Sequence, residues 1–276
     1  MVARIRRLGG GVGLGVIYVF MVLFFGLPLL WLFSAAFSKI TGVAWAWPTA
    51  LSFSNFSAVL TKPGIGLSFA NAGIYAIVSS LVALALAALA GYPLSRFRFR
   101  GRLVYMLGIL FITGLPITAL IVPLFEMFLR FNWINTRWAV VLVMGALSTP
   151  ISIWLLKAFI DSVDPALEEA SWVDGANRLS GYFRIILPLM RPGLVVVFIL
   201  NFLGAWSNFY VPFVLFSSTS KFPVAITIYD FFGNYGQVYY GQLAAFSILY
   251  SIPVIGLYLA SGGRLGSTLN VGGVKG

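Results

Sequence analysis

Long apolar stretches constrain the fold of this chain more than any other feature. Six segments consist mainly of apolar residues, near 13–37, 69–94, 103–127, 138–159, 193–216 and 242–261. A helix needs about 20 such residues to cross a bilayer core of roughly 30 Å. Apolar side chains make up 60% of the chain and charged ones only 9%, which lies outside the composition of soluble domains. The sequence therefore predicts an all-α polytopic membrane protein with six transmembrane helices.

The predicted spans divide the chain into three parts. A cytoplasmic N-terminal segment covers 1–12, a six-span transmembrane domain covers 13–261, and a cytoplasmic C-terminal tail covers 262–276. Three arginines precede the first apolar run, as basic residues do in a signal peptide. Because that run is far longer than the roughly 7–15 residues of a signal-peptide core, we expect it to be retained as the first span.

The distribution of basic residues predicts the orientation. With both ends in the cytoplasm, thirteen of the eighteen Lys and Arg side chains fall in cytoplasmic segments. The remaining five lie outside: Lys39, Lys62, Arg130, Arg137 and Lys221. An excess of basic residues marks cytoplasmic loops, so both termini are predicted to be cytoplasmic. The same excess explains the net charge of +11, and we therefore predict no nucleic-acid partner.

The residues that the chain lacks exclude most membrane enzymes. It has no histidine and no cysteine, which removes imidazole and thiolate metal sites, disulfides and the common nucleophilic triads. No Gly-Lys dipeptide occurs, so the G-x-x-x-x-G-K-[ST] phosphate loop is absent from the sequence. We expect a transport protein without an ATPase site of its own, and no metal or cofactor bound by this chain.

Glu126 is the exceptional carboxylate, because it falls within a predicted span. Carboxylates inside a membrane are functional candidates. Arg130 follows four residues later on the same helix face, near the predicted outer boundary. A local ion pair and a proton relay are both open interpretations, and we favour the ion pair.

Most of the carboxylates gather in a segment between the fourth and fifth predicted spans, residues 161–190. Five of the seven acids in the chain lie there: Asp161, Asp164, Glu168, Glu169 and Asp174. The predicted orientation places this segment in the cytoplasm. Its polar groups must therefore be satisfied by water or by protein.

Local signals in this segment predict two short helices. Asp164-Pro165 is typical of an N-cap followed by proline at the first helical position. Gly175 suits the left-handed residue that ends a helix. Asn177 or Ser180 can cap a second helix, which we expect to run to Leu187, before Pro188.

The two helices share an apolar stripe. Its members recur at intervals of three or four residues: Ala166, Ala170, Val173, Ala176, Leu179, Phe183 and Ile186. These residues alone leave two interpretations open. The segment is either a structured loop that packs on its own membrane domain or a docking surface for another protein.

A longer motif in the same segment resembles a known family. The run Glu169-Ala170-Ser171-x-x-Asp174-Gly175-Ala176, followed by Ile185-x-Leu187-Pro188, is similar to the EAA loop of binding-protein-dependent ABC importer permeases. The one departure is serine at the second alanine. The resemblance implies that these residues form coupling helices that dock on a cytosolic ATPase subunit.

Other segments resemble one branch of that family. Residues 91–101, GYPLSRFRFRG, are similar to the junction after the second span of carbohydrate-type permeases, in particular the smaller permease of maltose-type systems. The Asn132-x-x-Asn135-Thr136 turn and the GGVKG ending at 272–276 also resemble that branch. The family pattern W-N-D-F-x-x-P is altered here to Trp206-Ser207-Asn208-Phe209-Tyr210-Val211-Pro212, so a role of its Asn-Asp pair does not carry over.

The resemblance implies the function and the partners. The chain would be a permease subunit in the inner membrane of a prokaryote, forming with a second homologous permease the pathway for a sugar or a related small polar solute. Two cytosolic ATPase subunits would bind ATP and Mg and drive transport, and an extracytoplasmic solute-binding protein would deliver the solute. Membrane lipid would surround the spans.

The fifth predicted span carries the substrate-pathway candidates. Aromatic faces and hydrogen-bonding side chains recognise sugars, and this span offers Asn201, Trp206, Ser207, Asn208 and Tyr210, with Pro212 free to break the helix. The alternative is that Asn201 and Asn208 only bond across helices.

A secondary transporter and a structural membrane scaffold are the two alternatives to an ABC permease. A stand-alone ion-coupled secondary transporter would predict inverted repeats and ion sites at the membrane midplane, and neither is evident in the sequence. A structural membrane scaffold would leave the segment 161–190 unexplained.

Overall fold

The structure, a computed structural model, describes residues 2–39, 50–232 and 238–261, with side chains from residue 14 onward. The described residues form two compact units. The first contains those of 1–65 and 228–252, and the second those of 66–227 and 253–276. The predicted C-terminal tail, with its GGVKG ending, lies outside the described residues.

Helices account for the regular structure of both units. In chain order they are α1 (Val2–Phe37), α2 (Ser54–Leu60), α3 (Ile65–Arg96), α4 (Arg102–Thr113), α5 (Ile117–Arg130), α6 (Arg137–Asp161), α7 (Pro165–Val173), α8 (Arg178–Gly181), α9 (Leu187–Leu189), α10 (Arg191–Trp206), α11 (Tyr210–Leu215), α12 (Val224–Thr227) and α13 (Tyr240–Ala260). A π-helical turn, Tyr182–Ile186, joins α8 to α9. Within the described ranges the only β-type pairing is an isolated bridge between Phe232 and Val238. The prediction of an all-α fold is confirmed.

Several of these helices are long and apolar enough to cross a membrane. Four helices of the described residues meet both conditions by themselves: Leu14–Phe37, Ile65–Arg96, Arg137–Asp161 and Tyr240–Ala260. Two bent pairs qualify together, Arg102–Thr113 with Ile117–Arg130 and Arg178–Leu189 with Arg191–Trp206. By length and composition, the described residues thus contain four helices that could span a membrane, or up to six when each bent pair is counted as one span. The second pair differs from the predicted fifth span, 193–216, because it joins α10 to part of the segment 161–190.

The third predicted span, 103–127, is not one straight helix. α4 and α5 are bent by 92° at the break between Thr113 and Ile117. Pro116 lies in that break in an extended conformation, with φ −67° and ψ 131°. Because proline has no N–H to donate and its ring clashes with the preceding turn, the hydrogen-bond ladder stops here. Pro123, Pro150 and Pro253 lie inside α5, α6 and α13.

The fifth predicted span, 193–216, is also interrupted. α10 ends at Trp206 and α11 begins at Tyr210, so the break falls before Pro212, the predicted breaker. Pro212 occupies the first turn of α11, where a backbone N–H has no partner within the helix. At its other end, α10 is bent by 74° from the segment Arg178–Leu189.

In the first unit, side chains in α2 and just after it bond to backbone carbonyl groups of other segments. The Asn55 side-chain amide donates to the carbonyl oxygens of Ala36 at 3.1 Å and Ser38 at 2.8 Å. It thereby satisfies carbonyl groups at the end of α1, which have no partner within the helix. Lys62 Nζ donates to the Asp230 carbonyl oxygen at 2.7 Å and lies 4.6 Å from the centre of the Phe231 ring.

In the second unit, α3, α6 and α10 pack closely through glycines. A β-carbon added at Gly145 of α6 would lie 3.2 Å from the Ser79 carbonyl oxygen of α3, and one at Gly91 would lie 3.4 Å from the Lys157 backbone nitrogen. Small residues let membrane helices approach in this way. The core between these helices and the segment 161–190 includes five residues with no exposed surface: Ala87, Leu156, Ile160, Ile186 and Val197.

The Asn132-x-x-Asn135-Thr136 turn before α6 has a clear structural basis. Asn132 and Asn135 have φ of 56° and 60°, a left-handed conformation that asparagine adopts more readily than most residues. The Asn135 side-chain amide donates to Ser218 Oγ at 2.8 Å, and its oxygen accepts from the Ser218 N–H at 3.2 Å. The turn therefore anchors the segment that follows α11.

The predicted ion pair between Glu126 and Arg130 is not formed. Within the described residues the ion pairs are Arg96 with Glu168 and Lys157 with Asp161. Glu126 and Arg130 are both exposed on α5. Exposed pairs of this kind gain little, because holding two long side chains in one geometry costs side-chain entropy.

The close approach of α10 to α6 predicts an unequal response to the same substitution at two glycines. A β-carbon at Gly193 would lie 2.5 Å from Cγ of Phe159, whereas one at Gly204, in the same helix, has no atom within 4 Å. We expect Gly193→Ala to destabilise the protein by about 1–3 kcal/mol through overpacking. Gly204→Ala should be neutral or slightly stabilising, since alanine favours the helix. Thermal unfolding in detergent compares them, and equal transitions for the two variants would contradict this packing.

Candidate functional site

The candidate site is the segment 161–190, here called the coupling loop, whose first helix is set by local caps. Asp164 Oδ1 accepts from the Ala166 N–H at 2.9 Å, and Pro165 takes the first helical position. α7 then ends at a left-handed glycine, Gly175, with φ 88°. The Ala176 N–H donates to the Ser171 carbonyl oxygen at 2.9 Å, which satisfies the end of the helix. Both predicted signals are therefore found in the structure.

The second helix of the coupling loop begins as predicted and ends later. Asn177 is its N-cap, because its Oδ1 accepts from the Ser180 N–H at 2.8 Å. The helix does not stop at Leu187. It widens into the π turn Tyr182–Ile186 and continues through Pro188 to Leu189. In the π turn the Leu187 N–H donates to the Tyr182 carbonyl oxygen, a longer-range bond that lets the helix continue into the proline.

The apolar stripe of the coupling loop faces outward over most of its length. Val173 is 88% exposed and Leu179 66% exposed, and Ala166, Ala170 and Phe183 are also exposed. Only Ile186, at the end of the stripe, is fully buried. A loop that simply packed on its own membrane domain would bury these side chains. A contiguous exposed apolar surface is typical of an interaction site.

The motif residues divide between this exposed face and the loop interior. The structure places them in three groups: Glu169, Ala170, Asp174 and Gly175 exposed; Ala176, Ile185, Leu187 and Pro188 half-buried; Ser171 buried. Ser171 Oγ donates to the Glu168 carbonyl oxygen at 2.7 Å. A β-carbon at Gly181 would lie 3.1 Å from that hydroxyl oxygen, so the two loop helices meet at a position where both side chains are small.

A buried carboxylate attaches the coupling loop to α3. Glu168 is only 1% exposed, although its neighbour Glu169 is exposed. Its Oε2 lies 3.0 Å from Arg96 Nε, and its Oε1 accepts a hydrogen bond from the Tyr92 hydroxyl. Arg96 also donates through Nη2 to the Val163 carbonyl oxygen at 2.9 Å. This cluster could not be recognised from the sequence, because 72 residues separate Arg96 from Glu168.

Aromatic contacts hold the second loop helix against the same end of α3. The Tyr182 hydroxyl donates to the Ala88 carbonyl oxygen at 2.8 Å. The Arg178 guanidinium lies 5.3 Å from the ring centre of Phe97 and 5.0 Å from that of Trp172. An arginine between two rings gains a cation–π attraction from each. Both coupling-loop helices are thus fixed to α3 while their outer face stays open.

The predicted pathway residues around the break in the fifth span have different neighbours. Asn201 is 5% exposed, and its Oδ1 accepts from Ser152 Oγ of α6 at 3.0 Å. Trp206 is 3% exposed and its ring stacks on Phe202, with 5.7 Å between centroids. Asn201 therefore makes the cross-helix bond of the alternative interpretation through one of its two polar atoms. Its Nδ2 is buried without a partner.

The other three candidates lie at or next to the interruption. Ser207 Oγ donates to the Leu203 carbonyl oxygen at 2.8 Å, and Asn208 Oδ1 accepts from the Val211 N–H at 3.0 Å. Asn208 thus bonds to the first turn of α11, and within the described residues its side chain bonds to no other span. Tyr210 is 49% exposed. The assignment of these five residues to a substrate pathway stays a prediction.

In the described part of the chain, no group of three or more His, Cys, Asp or Glu residues could hold a metal ion.

The described residues combine long apolar helices with a short helix–turn–helix whose outer face is exposed, and comparison with known families places this combination among membrane permeases. The chain belongs to the family described as binding-protein-dependent transport system inner membrane component, which matches residues 83–266. The matched range includes the whole coupling loop. The resemblance stated from the sequence is confirmed, and the alternative of an ion-coupled carrier has no support.

Related sequences match most of the chain. The inner membrane ABC transporter permease protein YcjP of Escherichia coli is 33% identical over 208 residues, 75% of this chain and 74% of its own length. The diacetylchitobiose uptake system permease protein NgcG of Streptomyces coelicolor is 31% identical over 253 residues, 89% of this chain and 82% of its own. The maltodextrin transport system permease protein MalD of Streptococcus pneumoniae is 29% identical, over 82% and 81% of the two chains.

Solved structures share the fold at lower sequence identity. A chain of a bacterial ABC transporter involved in the import of the acidic polysaccharide alginate aligns with a TM-score of 0.76 and 22% identity, over 94% of this chain and 96% of its own. A second structure, of a bacterial alginate ABC transporter in complex with an alginate pentasaccharide-bound periplasmic protein, aligns with a TM-score of 0.70 and 18% identity, over 94% of each chain. The fold is that of an ABC importer permease.

The left-handed conformation of Gly175 predicts how this turn responds to substitution. A β-carbon at this position meets no atom within 4 Å, so the cost is backbone strain alone. That strain is about 1–2 kcal/mol for most residues, and Gly175→Val should raise amide hydrogen exchange across α7 and α8. Gly175→Asn should stay close to wild type, because asparagine tolerates this conformation. Equal amide hydrogen exchange in the two variants would show that the turn does not require a left-handed residue at this position.

Proposed function

We propose that this permease forms, with a second homologous permease, the translocation pathway for a carbohydrate, and that ATP hydrolysis on two cytosolic ATPase subunits drives the transport. An extracytoplasmic solute-binding protein delivers the substrate. ATP and Mg bind to the ATPase subunits and not to this chain, which has no phosphate-binding loop in its sequence. The exposed apolar face of the coupling loop is the observation that carries the proposal.

The shape and charge of the coupling loop support docking on an ATPase subunit. Val173 and Leu179 are the most exposed large apolar residues of its two helices, and Glu169 and Asp174 are exposed on the same segment. Apolar contact supplies affinity, while the acids favour a partner groove lined by basic or amide groups. Since α7 and α8 are both fixed to α3, the loop can transmit the movement of a docked subunit to the helix bundle.

The charge distribution supports the orientation that this docking requires. Thirteen basic side chains fall on the side of the termini and the coupling loop, against five on the other. By the positive-inside rule, both termini and the loop are cytoplasmic, in the inner membrane of a prokaryote. Lipid contacts the exposed apolar side chains of the spans, such as Val22 and Phe25 of α1.

The substrate class rests on the relatives. Their names specify diacetylchitobiose, arabinooligosaccharides, maltodextrin and trehalose, all of which are carbohydrates. A sugar needs aromatic faces and hydrogen-bonding groups, and the interrupted fifth span brings Tyr210 and Ser207 to exposed positions. Asn201, Trp206 and Asn208 support this segment from buried or half-buried positions.

Charge reversal on the coupling loop tests the docking. Glu169→Lys leaves the caps and the left-handed turn intact but reverses an exposed charge, so we expect weaker ATPase binding that changes with ionic strength. The measurement is pull-down of the ATPase subunit that co-purifies with the wild-type chain, at low and high salt.

Asp230→Lys is the matched control, since it reverses an exposed carboxylate in the first unit, on the predicted extracytoplasmic side. It should leave ATPase binding unchanged. Wild-type binding by Glu169→Lys, or an equal loss in both variants, would remove Glu169 from the docking surface.

Substitution of Tyr210 tests the pathway assignment. Loss of an aromatic contact in Tyr210→Ala should raise the KM for uptake by roughly fivefold, equivalent to about 1 kcal/mol. Tyr210→Phe keeps the ring and should retain most of the activity. The assay is uptake of labelled maltotriose, diacetylchitobiose, arabinotriose and trehalose into cells that express the complete transporter. Identical kinetics for Tyr210→Ala and wild type would place the substrate contacts elsewhere.

A further inference from the structure

Two segments far apart in the sequence meet at one buried carboxylate. Tyr92 and Arg96 belong to the segment 91–101 at the end of α3, and Glu168 lies one residue before the coupling-loop motif. The Glu168 side chain is 2% exposed and the Arg96 side chain 13% exposed. Each carboxylate oxygen of Glu168 has a partner within the second unit. Glu168 therefore faces its own subunit and not the solvent.

We propose that Glu168 is a positioning residue that sets the orientation of α7 on α3 and so pre-organises the exposed face of the coupling loop for the ATPase subunit. The inference rests on the proposed function, because it concerns how the loop is presented to that partner. It gives the two adjacent glutamates different tasks. Glu169 contacts the partner, and Glu168 holds the loop that carries the contact.

The geometry of Arg96 explains how one side chain can define an orientation. Its Nε pairs with Glu168 in the middle of α7, and its Nη2 donates to the carbonyl oxygen of Val163, next to the N-cap Asp164. Two anchors about five residues apart fix the direction of a short helix. The Tyr92 hydroxyl, on the other oxygen of Glu168, restricts its rotation.

Other contacts of α7 reach the second loop helix: a β-carbon at Gly181 would lie 3.1 Å from Ser171 Oγ, and the Arg178 guanidinium lies 5.0 Å from the Trp172 ring centre. These contacts join the two loop helices and do not bond α7 directly to α3. Within the described residues, the second ion pair, Lys157 with Asp161, lies inside α6. The Tyr182 hydrogen bond to Ala88 holds the second loop helix, which follows the left-handed turn at Gly175. Without the Glu168 pair, α7 keeps its caps and its helical structure but can rotate about that turn.

The absence of cysteine from the sequence allows a direct measurement of this orientation. Leu86 of α3 is 49% exposed and Leu167 of α7 is 49% exposed, so Leu86→Cys and Leu167→Cys can carry a pair of spin labels. Pulsed electron paramagnetic resonance then gives the distribution of distances between α3 and α7. The full chain is used in nanodiscs, with and without the purified ATPase subunit that co-purifies with the wild type.

We expect a narrow distribution in the wild type and a broad one in Glu168→Gln, which removes the charge at nearly constant size. Arg96→Met, which removes both anchors of α7, should broaden it further. The apparent Kd for the ATPase subunit should rise in inverse proportion to the fraction of molecules that keep the wild-type distance. If about one fifth of the molecules keep it, binding should be about fivefold weaker. Saturating ATPase subunit should restore the narrow distribution.

Glu169→Gln is the matched control at the neighbouring position. It should weaken ATPase binding without changing the distance distribution. Unchanged distributions in both Glu168→Gln and Arg96→Met would overturn the proposal, as would a change in Kd without a matching change in population. A distribution that stays broad with saturating ATPase subunit would indicate a misfolded loop and also overturn it. If no ATPase subunit binds the wild type, the proposed function itself fails.

Discussion

Hydrocarbon offers no hydrogen-bond partner to a peptide group, and this constraint governs the architecture of the chain. A helix pairs its own backbone N–H and C=O groups, so the long apolar stretches of the described residues are helical except at two interruptions. At each of the two interruptions within apolar stretches, a residue reduces the number of unpaired backbone N–H groups. Pro116 has no N–H that would need a partner, and the Asn208 side chain accepts from the Val211 N–H at 3.0 Å. The interruption beside Tyr210 therefore accommodates polar groups within a stretch that is otherwise mainly apolar.

Features that depend on neighbours in sequence could be predicted, and features that depend on distant residues could not. Asp164, Gly175 and Asn177 were recognisable because capping and left-handed turns involve residues only two or three positions apart. The positions of the breaks were less certain, because the effect of a proline depends on where it falls in the helix: Pro116 ends a ladder, whereas Pro123 lies inside α5. The burial of Glu168 depends on a partner 72 residues away, and no local pattern distinguishes it from Glu169.

The buried pair at the base of the coupling loop is costly to form and costly to break. Removing a carboxylate and a guanidinium from water carries a desolvation penalty that their attraction only partly offsets. Loss of one partner typically costs about 3–5 kcal/mol, because the other charge is left buried and unpaired. Such a pair adds little net stability, but it strongly penalises alternative arrangements of α7. Its value therefore lies in fixing one arrangement of the loop, while the outward surface remains available for interaction.

The exposure of Val173 also affects the chain before it is assembled. A side chain that is 88% exposed, on a helix face with other exposed apolar residues, forms an apolar patch that can bind other proteins until a partner covers it. Chaperones and proteases act on polypeptides that expose such surfaces, so a modest change in exposure can alter abundance several-fold. Under the proposed function, a copy without its partners would expose this surface and be short-lived, so balanced synthesis of the subunits would be a condition for accumulating the transporter.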